Sequence, residues 1–275
     1  MKKIIIILLI LFVILLYFYT RKPNVKNIEK FELDNDGFCL YNNLMNEKEI
    51  KRVKQLLKDK NVSLIKDEIL RKHNFKSLLL ADLGSGYVFQ DYIFIINKSS
   101  IHTCHRDANG SFFNSDQKHK SYTLLIFLEN MTDSLGIIPR SHESRWKNYI
   151  NLTNNVITFK CKPGDGLMFD SNLIHVGGIN ESPNKLRLQF KLCHYNDLSK
   201  LDYYNNYHKL LDEDNYFPDW VRHIQKNISC FVPGLADISQ NHIKSEAGTN
   251  SNTILSNIFS KIFYGNSNFY NLKNV

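Results

Sequence analysis

Residues 185–192 read KLRLQFKL, and this stretch indicates the fold most directly. Its apolar residues alternate with polar ones, and successive side chains of a β-strand point to opposite faces of the sheet. One face would carry leucine and phenylalanine, and the other would carry Arg187, Gln189 and Lys191. The alternation predicts a sheet whose outer face is covered by helices and whose inner face borders a polar cavity.

Two passages that precede this strand in the sequence contain residue types that commonly bind metals in proteins. Residues 166–175 read GLMFDSNLIH, a strand-like run that ends at His175. Residues 101–110 read IHTCHRDANG, in which His105 and Asp107 are two residues apart. On a strand, that spacing places the imidazole and the carboxylate on one face, where they could share a metal ion.

Two histidines and one carboxylate form the facial triad that holds iron(II) and leaves half of its coordination sphere open. We therefore predict that His105, Asp107 and His175 are metal ligands. Arginine presents a planar fork of donors that binds a carboxylate through two hydrogen bonds. Arg187, which follows the triad in the sequence, is accordingly predicted to bind a co-substrate that carries a carboxylate.

Five passages appear in a characteristic order along the chain. They are DNDGF (34–38), CHRDANG (104–110), SLGIIPRSH (134–142), KPGDGLMFDSNLIH (162–175) and NESPNKLR (180–187). Together they resemble the phytanoyl-CoA dioxygenase-like group of Fe(II)/2-oxoglutarate-dependent oxygenases, from about residue 31 to residue 195. This chain departs from the family pattern at Arg140, where the family usually has glycine, and at Gly177, where it often has serine.

The resemblance implies a mainly β fold with flanking helices, built as a double-stranded β-helix or jelly-roll barrel. It implies that His105, Asp107 and His175 bind Fe(II), and that Arg187 binds the distal carboxylate of 2-oxoglutarate. The implied reaction converts 2-oxoglutarate and O2 to succinate and CO2 while an organic substrate is hydroxylated. Ascorbate is a candidate auxiliary reductant.

The N-terminal residues 4–19, IIIILLILFVILLYFY, are apolar without interruption. As a helix they would rise about 24 Å, enough to cross a membrane with help from the flanking lysines. The run ends in aromatic residues, which suit a membrane interface better than a signal-peptidase site. We predict an uncleaved, single-pass signal anchor and retain a cleaved signal peptide and a buried core helix as alternatives. Positive charge on both sides leaves the orientation open.

The predicted domain boundaries follow these patterns. Residues 1–22 form the transmembrane segment, 23–30 a basic linker, 31–235 the dioxygenase domain and 236–275 a mobile tail rich in asparagine and serine. Within the domain, Asn46 and Glu49 form a capping box that predicts a helix over about 46–59. Apolar runs predict strands over 86–97 and 121–130, and PDWVRHIQ (218–225) indicates a helix. The family resemblance implies a further pair of strands around 156–159 and 166–170.

The five cysteines are odd in number and show no C-x-x-C spacing, so the sequence indicates neither a zinc site nor a disulfide framework. Seven N-glycosylation sequons support a lumenal domain only weakly, because Asn109 and Asn180 lie beside the predicted site. The sequons begin at Asn61, Asn97, Asn109, Asn130, Asn151, Asn180 and Asn227.

The net charge of +8 and the apolar N-terminus bear on the partners. We expect a small-molecule, lipid or glycan substrate, attachment to a membrane and no specific binding to nucleic acid. Two other functional classes stay open. One is a catalytically silent barrel that binds a ligand, and the other is a basic membrane-tethered module that binds nucleic acid or anionic lipid. Succinate formation would separate the enzyme from both.

Overall fold

A computed structural model of the chain describes the residues on which the fold and the site depend. The described ranges are 2–22, 24–26, 31–59, 61–71, 73–97, 102–107, 117–143, 156–179, 185–201, 205–212, 217–231, 258, 261–263, 265 and 273–274. Several predicted features lie outside these ranges, namely Asn109, Asn180, residues 23 and 27–30 of the linker, and most of the tail 236–275.

Six α-helices of the described part of the chain have defined bounds, and residues 258 and 261–263 are helical as well. The six are α1 (Lys2–Thr20), α2 (Leu33–Asp36), α3 (Glu47–Lys58), α4 (Val62–Arg71), α5 (His73–Leu83) and α6 (Asp219–Phe231). Helix α3 confirms the predicted capping box, because the Asn46 side chain accepts a hydrogen bond from the Glu49 N–H and the Glu49 carboxylate accepts one from the Asn46 N–H. Helix α6 confirms the helix predicted from PDWVRHIQ.

The strands form two sheets. They are β1 (Asn24–Lys26), β2 (Phe38–Tyr41), β3 (Tyr87–Phe89), β4 (Tyr92–Ile96), β5 (Tyr122–Phe127), β6 (Leu135–Ile137), β7 (Ile157–Phe159), β8 (Gly166–Asp170), β9 (His175–Gly177), β10 (Arg187–His194), β11 (Tyr207–Leu211) and β12 (Lys273–Asn274). The larger sheet has the order β12-β11-β4-β10-β5-β8-β2, with β3 beside β10, and the smaller one has the order β1-β7-β6-β9.

Strand β10 lies at the centre of the larger sheet, between β4 and β5, and its two faces differ as predicted. Leu188, Phe190 and Leu192 pack in a core with buried apolar residues of α3, α4 and α5. The alternate residues of β10 face the opposite way and line a cavity. Helices therefore cover the outer face of this sheet.

The inner face of the larger sheet packs against the smaller sheet. Phe127 and Phe169 of the larger sheet share one buried apolar cluster with Ile137, Ile157 and Phe159 of the smaller sheet. Removal of these side chains from water stabilises the contact by roughly 1.5–3 kcal/mol for each fully buried large residue. The predicted class, mainly β with flanking helices, is confirmed. Closure of the sheets into a jelly-roll barrel stays a prediction.

Three short elements differ from the predicted boundaries. Strand β1 lies inside the predicted linker 23–30 and pairs in parallel with β7, while β12 lies inside the predicted tail 236–275 and pairs with β11. Elements of two or three residues are too short to show the periodicity on which the prediction depends. The single strand predicted over 86–97 is interrupted at Gln90 and Asp91, which separate β3 from β4.

Helix α1 is the one described helix long and apolar enough to cross a membrane, and none of its residues is buried. Its C-terminal end rests on α6. The amide nitrogen of Asn227 donates hydrogen bonds to the carbonyl oxygens of Phe18 and Arg21, at 2.6 and 2.9 Å, and the Phe18 ring contacts Phe231. These contacts join the apolar helix to the folded domain. They also bury Asn227, where a glycan would break both hydrogen bonds.

Candidate functional site

His105 and Asp107 lie in an extended segment, residues 102–107, and not on a strand as predicted. The segment makes a single antiparallel bridge, in which the N–H groups of His105 and His175 each donate to the other's carbonyl oxygen at 2.9 Å. A single bridge does not make a β-strand. The prediction that strand alternation places Asp107 beside His105 is therefore wrong in its reason, although the two side chains do lie close together. The bridge itself brings the two imidazoles together, with ring centres 4.2 Å apart.

His175 does not end the strand that precedes it in the sequence, contrary to the prediction from GLMFDSNLIH. Strand β8 stops at Asp170, whose side chain accepts a hydrogen bond from the Asn172 N–H at 2.8 Å. This aspartate-capped turn redirects the chain, and His175 begins β9 in the smaller sheet. The candidate ligands are therefore presented between the two sheets.

His105, Asp107 and His175 are buried and offer three donor atoms within 4.8 Å of one another. The Oδ1 atom of Asp107 is 3.6 Å from Nε2 of His105 and 3.5 Å from Nε2 of His175. Bonds of about 2.1 Å at right angles would separate neighbouring ligand atoms by about 3 Å, so a small inward movement would suit a transition metal. The structure brings the three predicted ligands together.

The protonation of both imidazoles also fits a metal site. Nδ1 of His105 is 2.9 Å from the carbonyl oxygen of Thr103, and Nδ1 of His175 is 3.0 Å from that of Leu173. A carbonyl oxygen only accepts hydrogen bonds, so each Nδ1 carries the proton and each Nε2 keeps its lone pair. Such a contact at the second ring nitrogen is typical of histidine ligands.

Burial keeps the imidazoles neutral. Desolvation lowers the pKa of His175 to about 3, with a further contribution from His105, and it also lowers the pKa of His105. Burial alone would raise the pKa of Asp107, but the charge of Lys191 and the neighbouring imidazoles hold it well below its usual range. The three groups are thus in the protonation states that metal binding requires.

Three residues that the sequence did not identify hold the second oxygen of Asp107. Lys191 Nζ, Thr123 Oγ1 and Gln189 Nε2 donate hydrogen bonds to Asp107 Oδ2, at 2.7, 2.8 and 3.2 Å. Lys191 and Thr123 are paired across β10 and β5, and Gln189 is on the same face of β10 as Lys191. The alternation in KLRLQFKL indicated polar residues facing a cavity, but it did not indicate that one of them pairs with Asp107.

Arg187 lines the same cavity as the three candidate ligands. It is 4% exposed, and within the described part of the chain its buried Nε has no hydrogen-bond partner, while Nη1 makes a long contact, 3.4 Å, to the Lys185 carbonyl oxygen. No carboxylate among the described residues forms an ion pair with it. Burial lowers the pKa of Arg187 to about 10, so the group stays charged at neutral pH without a counter-ion among the described residues.

The cavity leaves about 50 Å³ of space for the centres of water-sized molecules. Its walls are largely aromatic and aliphatic, with Tyr92, Phe94, Phe169 and Tyr207 among them. Apolar walls with a few convergent polar groups are typical of a site that orients a small organic ligand. Gly177 also lines the cavity, whereas Arg140 is exposed and pairs with Glu143.

A disulfide joins Cys104 to Cys230, and this corrects the expectation from cysteine spacing. The two residues are 126 positions apart in sequence, and no local spacing pattern reports such a pair. Cys104 precedes the candidate ligand His105, and Cys230 lies on α6. The bond therefore attaches the segment that carries His105 to the helix on which α1 rests.

No protein-family model matches the chain, and no curated protein matches it in sequence. The resemblance to the phytanoyl-CoA dioxygenase-like family therefore stays a prediction. Several solved structures have a related fold. The non-heme alpha-ketoglutarate-dependent epimerase SnoN from nogalamycin biosynthesis is 14% identical, with a TM-score of 0.49 over 59% of this chain and 80% of its own.

Two further structures are similar to the same extent. EvdO2 from Micromonospora carbonacea var. aurantiaca, solved with 2-oxoglutarate, is 14% identical, with a TM-score of 0.46 over 58% of this chain and 87% of its own. AviO1 from Streptomyces viridochromogenes Tue57 is 15% identical, with a TM-score of 0.46 over 58% and 90%. These values are too low for the neighbours to assign a function, which has to be argued from the site.

Proposed function

We propose that the chain is a membrane-anchored, Fe(II)- and 2-oxoglutarate-dependent dioxygenase that hydroxylates an organic substrate. One observation carries the proposal: a buried His-Asp-His group and a buried guanidinium without a carboxylate partner among the described residues face the same cavity. The first is a donor set suited to a transition metal, and the second requires an anion.

The protein residues have separate roles in this proposal. His105, Asp107 and His175 hold the iron, which, when bound, supplies the activation of O2 that accompanies decarboxylation of 2-oxoglutarate. Arg187 binds the distal carboxylate of 2-oxoglutarate and thereby fixes the direction in which its other end lies. The aromatic walls exclude water and position the substrate C–H bond. Because Asp107 is present as a ligand, no ligand position is vacated for a halide, and hydroxylation is the expected outcome.

Binding and turnover of the full chain in detergent test the proposal. We expect Fe(II) and 2-oxoglutarate to give the visible charge-transfer band of their chelate, with succinate formed as 2-oxoglutarate is consumed. His105→Ala should abolish metal binding. Arg187→Gln should retain the metal but weaken 2-oxoglutarate binding by about 10- to 100-fold, the loss of a charged hydrogen-bonded pair. Arg52→Gln, at an exposed position on α3, is the matched control and should behave as the unaltered chain.

Two outcomes would contradict the assignment. If the folded chain bound neither metal nor 2-oxoglutarate, the oxygenase would be replaced by a silent ligand-binding protein. If Arg187→Gln bound 2-oxoglutarate as tightly as the unaltered chain, the role of Arg187 would be wrong while the metal site could stand. Formation of succinate in the absence of an organic substrate is an uncoupled reaction that many such enzymes catalyse slowly. A lack of succinate therefore contradicts the proposal only if metal and 2-oxoglutarate binding are also absent.

The substrate and the anchor are parts of the same proposal. The exposed apolar surface of α1 supports insertion into a membrane, and the contacts of α1 with α6 would hold the domain close to the lipid surface. A domain in that place meets lipids, membrane-bound glycans and small molecules that partition into the bilayer. These are the substrate classes to screen first.

A further inference from the structure

The two oxygens of Asp107 have different surroundings. Oδ2 accepts hydrogen bonds from Lys191, Thr123 and Gln189 at 2.7, 2.8 and 3.2 Å. A carboxylate oxygen has about two lone-pair sites, so these donors fill its capacity. Oδ1 is the atom directed at the two imidazoles, 3.5 and 3.6 Å from their Nε2 atoms.

We propose that Lys191 is a positioning residue that pins Oδ2 of Asp107, so that the carboxylate offers a metal one oxygen and not two. This inference rests on the proposed metal site. A carboxylate that binds through both oxygens takes two coordination positions, and two imidazoles would then leave two positions instead of three. Three are needed for the two donor atoms of 2-oxoglutarate and for O2.

The placement of Lys191 favours this role over a structural one. Its side chain is 2% exposed and lies on the cavity face of β10, opposite Thr123. Its Nζ also lies 2.7 Å from Thr123 Oγ1, which itself donates to Asp107 Oδ2. The lysine, the threonine and the carboxylate are thus each in contact with the other two, and these contacts fix the rotation of the carboxylate about its last bond.

Metal affinity alone would not test the inference, because two effects of removing Lys191 change it in the same direction. Removal of Lys191 frees Oδ2 to join the metal, and it also removes a positive charge that repels the metal. Both changes would strengthen metal binding without improving the site for 2-oxoglutarate. The informative readouts are therefore the coordination of the metal in the absence of 2-oxoglutarate, and the affinity for 2-oxoglutarate.

The experiment uses Co(II), whose visible spectrum reports coordination number and symmetry, with the full chain in detergent. Lys191→Met should still bind Co(II), but with a spectrum changed before 2-oxoglutarate is added and with 2-oxoglutarate bound about 10- to 100-fold more weakly. Thr123→Val, which removes one donor with little change in shape and none in charge, should shift the spectrum in the same direction by less. It keeps the test decisive if Lys191→Met fails to fold.

Lys226 provides a matched control. It is also 2% exposed and also pairs with a carboxylate, Asp133, at 3.0 Å, but it does not line the cavity. Lys226→Met should lose stability and keep the spectrum and the 2-oxoglutarate affinity of the unaltered chain.

The outcomes separate this inference from the proposed function. A spectrum and an affinity in Lys191→Met equal to those of the unaltered chain would overturn the positioning role alone. Weaker 2-oxoglutarate binding with an unchanged spectrum would also overturn it, since Lys191 would then act on 2-oxoglutarate directly. Failure of the unaltered chain to bind Co(II) would instead overturn the proposed function.

Discussion

At the scale of single residues, the site depends on the way that each polar group is held. The two imidazoles donate from Nδ1 to backbone carbonyl oxygens and keep Nε2 free. One oxygen of Asp107 accepts hydrogen bonds from three donors, and the other lies 3.6 and 3.5 Å from the Nε2 atoms of His105 and His175. These contacts hold the donor atoms in place, so a metal bound by them would cost little conformational freedom.

The neutral, buried imidazoles predict an acid-sensitive fold. The pKa of His105 is lowered and that of His175 is lowered to about 3, whereas an unfolded histidine titrates near pH 6.5. Below about pH 6.5 the unfolded chain therefore binds protons that the folded chain does not, and the free energy of unfolding falls as the pH falls. Each imidazole contributes up to about 1.4 kcal/mol per pH unit.

Denaturant unfolding of the metal-free chain at several pH values between about 5 and 7.5 measures this slope. In His175→Gln the free energy of unfolding should depend less steeply on pH, because one proton fewer is taken up on unfolding. This holds whatever the stability of the variant at neutral pH. An equal slope in the variant and the unaltered chain would mean that His175 is protonated in the folded state, against the structure.

At the scale of elements, the sequence predicts those features that depend on local periodicity. The alternation in β10 indicated both a helix-covered face and a cavity face, and the capping box at Asn46 marked the start of α3. Arg140 has a left-handed conformation, with φ of 62°, which favours glycine; the sequence alone did not indicate this conformation for an arginine.

Features that depend on contacts distant in sequence could not be predicted in this way. Asp107 and Lys191 are 84 positions apart, and Cys104 and Cys230 are 126 apart. Neither pair has a local pattern, because the sheet register and the position of α6 bring the partners together. The backbone bridge between His105 and His175 also joins residues distant in sequence. The sequence could not indicate it, so His105 and Asp107 were predicted to lie on a strand that the structure does not have.

The disulfide gives a prediction at this scale, since it connects α6 to the segment that carries His105. The double variant Cys104→Ser, Cys230→Ser should lose roughly 2–5 kcal/mol of stability, the usual effect of a native disulfide that closes a long loop. It should also bind metal more weakly, because residues 102–107 would be held by fewer constraints. Thermal unfolding and metal titration under non-reducing conditions measure both effects.

Cys193→Ser is the control, because it replaces a buried free cysteine in the larger sheet and leaves the disulfide intact. A double variant no less stable than Cys193→Ser, with unchanged metal affinity, would contradict the structural role of the bond. Detection of five free thiols in the denatured, unreduced chain, where the disulfide leaves three, would also contradict it.

At the scale of the whole molecule, a continuous set of contacts runs from α1 to the candidate site. Helix α1 is joined to α6 by Asn227 and by Phe18 against Phe231, and α6 is joined to the ligand segment by the disulfide. The proposed anchor and the proposed active site therefore belong to one connected body. The side of the membrane on which the domain lies then decides which substrates it meets.

If α1 spans a membrane, the disulfide favours one orientation where the flanking charges favour neither. Lys2 and Lys3 precede the apolar run and Arg21 and Lys22 follow it, so charge does not favour either direction. Disulfides form and persist in oxidising compartments and are rare in the cytosol. We therefore expect the N-terminus to lie in the cytosol and the domain, from residue 31 onward, to lie on the opposite side of the membrane.

Protease protection in sealed vesicles whose outer face is cytosolic tests this topology on the full chain. The domain should resist added protease until detergent opens the vesicles, and it should migrate as an oxidised species on non-reducing gels. The double serine variant, if it inserts, should be equally protected but lose the redox-dependent migration, which separates the topology from the bond. Digestion of the domain in intact vesicles, with reduced cysteines, would place it in the cytosol and direct the search to cytosolic substrates.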